Sequence, residues 1–263
     1  MTLRRMFLLI AGLVVLSAPI AAAAVPGPQR IVAPGLFGLT EIADGVWTDD
    51  PGRAETQMRM LASANVRVRA FFGELGPSPR MILCVTMMCE KTFGGTGNVA
   101  VAYGWQALRI PPKAFREPDL GVVLMAHERT HVELHRGWSL SALWSPPQPN
   151  WFDEGLASFV SRDHRLPKAC AEEAKAWIRG SRTFWDWGDF VGERGWRDAY
   201  GAAAANVADL HARLGDAGLR DLIARTNAGE EFKAAMADLS GGWSASQPEW
   251  TGSPPGATRH NRR

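Results

Sequence analysis

The feature that most constrains this chain is the pair His127 and His131, set four residues apart in the run His127-Glu128-Arg129-Thr130-His131. Residues four apart on a helix stand one above the other, so two imidazoles at this spacing can reach one ion at roughly 2.0–2.1 Å. The flanking residues predict a helix over 119–136. Leu120, Val122, Val123, Leu124 and Ala126 form an apolar approach. Glu117-Pro118-Asp119 marks the start, where proline fits the first turn and the acids suit the positive end of the helix dipole. His135 and Arg136 suit the last turn, and Gly137 is placed to take a left-handed cap.

H-E-x-x-H fixes only three positions, so its weight depends on a third ligand. Asn150-Trp151-Phe152-Asp153-Glu154-Gly155-Leu156-Ala157 supplies a carboxylate inside an amphipathic run. Glu154 follows His131 by 23 residues, enough for the chain to leave one helix, cross the loop from Trp138 to Asn150 and return on a second. Two histidines and a glutamate are a standard three-ligand set for catalytic zinc, with a fourth position left for water.

The pairing of H-E-x-x-H with W-F-D-E-G-L-A resembles the gluzincin zinc metallopeptidases, and within them the small Peptidase MA-like group. The resemblance runs from the strand near Arg80–Met87 to the helix around Tyr200, Leu210 and Gly215 and its continuation at Leu219 and Leu222. It implies a thermolysin- or aminopeptidase-like catalytic domain with one zinc ion per chain. His127, His131 and Glu154 become the ligands, Glu128 the general base, and Tyr200 the hydrogen-bond donor to the oxyanion. The implied activity is hydrolysis of peptide bonds in a peptide or protein substrate. The alternative is a zinc-binding or scaffolding protein that keeps the fold without turning over substrate.

The chemistry is coherent on its own terms. Zinc polarises a carbonyl and makes water acidic near neutrality, and a carboxylate such as Glu128 can accept the water proton and deliver it to the leaving amine. A phenol can stabilise the oxyanion. The chain has two tyrosines, Tyr103 and Tyr200. Tyr103 falls in an alternating run and reads as a sheet residue, which leaves Tyr200, either as that donor or as a plain core tyrosine.

Neighbouring polar residues take lesser roles. Eight residues of helix rise about 12 Å, so His127 and His135 cannot share an ion. A third histidine ligand also requires a glycine turn that is absent here, because that position is Leu134. His135 therefore reads as a cap or rim residue, Asp153 as solvated or capping, and Glu133 as surface charge. Ser158 occupies the position one turn past Glu154, where some gluzincins have an aspartate that orients a ligand.

Residues 1–24 carry Arg4 and Arg5, an apolar run over Met6–Leu16, and Ala22-Ala23-Ala24 before Val25-Pro26. This is the pattern of a secretory signal peptide, and it implies export to the periplasm or beyond. A membrane contact is expected only if that segment stays uncleaved. Arg4-Arg5 partly matches a twin-arginine signal, leaving both export routes open. Cleavage leaves 27 basic against 27 acidic side chains, because Arg4 and Arg5 are two of the 29 basic residues. Nothing in that balance points to nucleic acid.

Three cysteines in an exported chain leave one over. Cys84 and Cys89 are expected to pair, with two buried thiols as the other arrangement, and Cys170 is free.

The remaining pattern predicts a helix over 53–75, strands over 80–85 and 98–104, and an extended piece over 106–110. Helices follow over 152–161, 168–178, 199–214, 216–225 and 229–238. Gly94-Gly95-Thr96-Gly97 lacks the Lys-Ser or Lys-Thr of a phosphate loop and reads as a turn. The fold class is α+β, with short N-terminal strands in a small sheet, then the zinc helices, then a mostly helical C-terminal half. The expected organisation is one domain over 25–245 and a disordered tail over 246–263.

Overall fold

The computed structural model describes residues 27–97, 99–167 and 169–241. The expected signal peptide and tail lie outside these residues. No described helix is long and apolar enough to cross a membrane. The fold is α+β, and the described residues form two compact units, one ending at Arg136 and one starting at Gly137.

The first unit is built on a five-stranded sheet in the order β1-β2-β3-β5-β4. The strands are β1 (Thr40–Ala43), β2 (Val46–Thr48), β3 (Arg80–Leu83), β4 (Val101–Tyr103) and β5 (Ala107–Ile110). β1 and β2 form an antiparallel hairpin that turns at Asp44-Gly45, where Gly45 has φ +70°. Asp-Gly supplies the left-handed conformation such a turn requires, and that dipeptide was the signal for two strands absent from the sequence-based pattern. β2, β3 and β5 run parallel, and β4 closes the edge antiparallel to β5. Helix α1 (Ala54–Phe72) links β2 to β3. It buries Met60, Leu61, Ala64, Val68 and Phe71 at helical spacing.

Between β3 and β4 lie the short helix α2 (Met87–Thr92) and the glycine turn. Thr86 caps α2 by accepting from Cys89 N, and Cys84 is disulfide-bonded to Cys89 with Cα atoms 5.3 Å apart. The glycine turn closes over a buried ion pair between Glu90 and Arg109, and Gly97 N donates to Glu90 Oε1 at 3.1 Å. A Cβ on Gly95 would collide with both members of that pair, so the glycine serves close approach and not a phosphate. Tyr103 sits on the sheet as expected, its hydroxyl accepting from Arg109 Nε at 3.3 Å.

Pro112–Arg116 forms α3, and Pro118–His135 forms α4, which packs on α1, α3, β4 and β5. The observed α4 agrees with the expected helix to one residue at each end. Its termination differs from expectation: Gly137 has no left-handed φ. A Cβ there would lie 2.7 Å from Asn227 Nδ2, so crowding explains that glycine.

The second unit is helical among its described residues. Its elements are α5 (Asn150–Ser161), α6 (Glu172–Ile178), α7 (Phe184–Arg194), α8 (Trp196–Asn227) and α9 (Phe232–Leu239). α8 is two helices joined at Gly215 (φ 64°, ψ −179°), where the sequence also predicted the break. α7 was not expected, yet Thr183 and Asp186 form a full capping box at its start. α8 is the spine of this unit and contacts α5, α6, α7 and α9.

Candidate metal centre

The histidines of the first unit are positioned by α4. Pro118 and Asp119 start that helix, and its apolar side chains Leu120, Val123 and Leu134 are buried. His127 and His131 are 9% and 8% exposed, with ring centroids 4.8 Å apart. Glu128 is 6% exposed on the same helix. Burial on a regular helix fixes the rotamers of these groups before any ion arrives.

Three assignments from the sequence need correction. His135 stands in the last turn of α4 as expected, but it is buried rather than on a rim, its ring stacked on that of His131 with centroids 5.6 Å apart. Glu133 is not surface charge: its side chain is 6% exposed and pairs with Arg129 at 2.5 Å and Arg136 at 3.1 Å. The third is Asp153, on α5 of the second unit, which is buried instead of solvated.

Glu133 and its arginines lock α4 to the segment after α1. Glu133 Oε2 accepts from Gly76 N at 3.2 Å, Arg129 Nη2 donates to Gly76 O at 2.9 Å, and Arg136 Nη2 donates to Pro77 O at 2.9 Å. Arg129 is almost wholly enclosed, and its Nε and Nη1 have no hydrogen-bond partner among the described residues. Burial pushes its guanidinium below the usual arginine range, and Glu133 opposes the shift.

In the second unit α5 carries Glu154, half-buried, beside Asp153. Gly155 lets α5 lie close to α8: a Cβ at that position would stand 2.6 Å from Ala203 O. Trp151 and Phe152 pack on Phe232. Ser158 Oγ, at the position expected to orient a ligand, is buried with no hydrogen-bond partner among the described residues. Tyr200 lies in the second turn of α8, half-buried, its ring edge-on to Trp187 at 4.9 Å and near Trp196 at 6.4 Å. In the loop joining α4 to α5, Trp138 Nε1 donates to Gln148 Oε1 at 3.1 Å, and Trp144 is 84% exposed.

Among the described residues, histidine and carboxylate side chains could hold a metal ion. The donors are nitrogens and carboxylate oxygens, a chemistry that suits zinc among other divalent ions. Comparison of the chain with known protein families, characterised proteins and solved structures finds no match.

Proposed function

We propose that this chain is an exported zinc-dependent metallopeptidase with a thermolysin- or aminopeptidase-like catalytic domain. The observation that carries the reading is the buried pair His127 and His131 on one helix with Glu128 between them in sequence. His127, His131 and Glu154 are the zinc ligands in this reading. The Cys84–Cys89 disulfide supports export, since such bonds persist in oxidising compartments.

Bound zinc would supply a Lewis acid that polarises the scissile carbonyl and renders water acidic near pH 7. Glu128 accepts a proton from the attacking water as its oxygen bonds to the carbonyl carbon. The same carboxyl then passes that proton to the amide nitrogen as the carbon–nitrogen bond breaks. Tyr200 donates its hydroxyl proton in a hydrogen bond to the oxyanion formed in between. The enclosure of Glu128 keeps bulk water from competing for that proton.

The test is digestion of a peptide library by zinc-loaded native protein and Glu128→Gln. Glutamine preserves shape and removes the base, so cleavage should fall by about 10²–10⁴-fold while zinc content holds. Equal product in both, at full zinc occupancy, would reject catalysis and leave the scaffolding alternative.

A further inference from the structure

The second unit contains a cavity of about 510 Å³ between α5, α6, α8 and α9, within the usual range for small-molecule sites. Its apolar wall comes from Trp151, Leu210 and Met236. Its polar side is unevenly satisfied. Lys175 Nζ is held by Asp209 at 2.6 Å and Glu172 at 2.5 Å, so that ammonium has its counter-charges.

Arg179, just past the end of α6, is different. Its Nη1 donates to the neutral Asn206 Oδ1 at 2.5 Å, and Asn206 is itself fixed by donating to Lys175 O and Ala202 O. Arg179 Nη2 is buried and has no hydrogen-bond partner among the described residues. Burial pushes this guanidinium below its ordinary range, and the nearby carboxylates of Glu172 and Asp209, already engaged by Lys175, only partly oppose that shift. An enclosed guanidinium edge that lacks an acceptor carries a desolvation penalty that an anion would offset. Arginine presents its donors as a planar fork, and the anion that matches it edge-on is a carboxylate.

We propose that this cavity is a second binding site, taking a small organic carboxylate whose apolar body rests on Trp151, Leu210 and Met236 and whose carboxylate pairs with Arg179. The site is independent of the metal centre. Asn206 is a positioning residue that aims the guanidinium.

Isothermal titration of the full chain with N-acetyl-leucine, its neutral amide and inorganic phosphate tests the assignment. The acid should bind saturably, the amide and phosphate at least about tenfold more weakly, and Arg179→Gln should lose about tenfold for the acid alone. Binding should persist unchanged after chelator treatment and in His131→Ala, which separates this site from carboxylate capture by a metal. Absence of saturable binding, equal affinity for acid and amide, or equal affinity for phosphate would overturn the proposal. So would loss of acid binding with the chelator. If Arg179→Gln fails to fold, the acid-to-amide ratio on the native chain decides alone.

Discussion

Helices α4 and α5 each carry donor side chains, yet they are fixed by different forces. α4 is held by buried charge: Glu133 between Arg129 and Arg136, with backbone groups of Gly76 and Pro77 completing the lock. α5 is held by shape, with Gly155 against Ala203 and two aromatic side chains on Phe232. An ionic lock is directional and fails when one charge is deleted. A packed seam fails in proportion to added or missing volume.

The largest effect should come from removing donors on either helix. His131→Ala should weaken zinc affinity by at least about 100-fold, since even loss of residues behind a ligand costs 10–100-fold. Glu154→Ala should do the same if both helices serve one ion. Zinc titration against a chromogenic chelator reads both. Full affinity in Glu154→Ala would assign the metal to the α4 histidines alone and end the one-ion reading. His135→Ala and Asp153→Asn should leave affinity within about threefold; a larger loss would move the ion toward those residues.

This contrast also shows what the chain discloses before it folds. α4 was legible because Pro118, its apolar spacing and His135-Arg136 agree at every level, and Gly215 broke α8 where a residue with positive φ was needed. The ionic lock was not legible. Glu133 shares a helix face with Arg129 and Arg136, a pattern usual on solvated surfaces, and the distant Gly76-Pro77 segment is what the three side chains bond to. Asp153 misled for a related reason: helical phase tells which face a side chain occupies, not what later packs over that face. The β1–β2 hairpin and α7 were readable from Asp44-Gly45 and Thr183-x-x-Asp186, local signals that hydrophobic periodicity alone passes over.

The next effect in size tests the ionic lock. Glu133→Gln keeps the shape and deletes the charge that compensates Arg129, whose side chain is 2% exposed. Breaking a buried pair on one side costs about 3–5 kcal/mol because the remaining charge is stranded. Urea unfolding should show a loss of about 3 kcal/mol. A change below about 0.5 kcal/mol would mean that Arg129 finds other compensation, and that α4 is held by its apolar face.

The smallest effect tests the packed seam. In Gly155→Ala the new methyl would meet Ala203 O at 2.6 Å and Ala203 C at 2.8 Å, both backbone atoms that cannot swing aside. Overpacking of this kind costs about 1–3 kcal/mol. Alanine also favours the helix by about 1 kcal/mol over glycine, which offsets part of that. The net expectation is a destabilisation of about 1 kcal/mol in the same urea assay, smaller than that of Glu133→Gln. The sign is the informative quantity. A stabilised Gly155→Ala would mean that α5 slides on α8 without loss, so shape would not be what fixes Glu154. The difference between the two helices would then reduce to the ionic lock on α4.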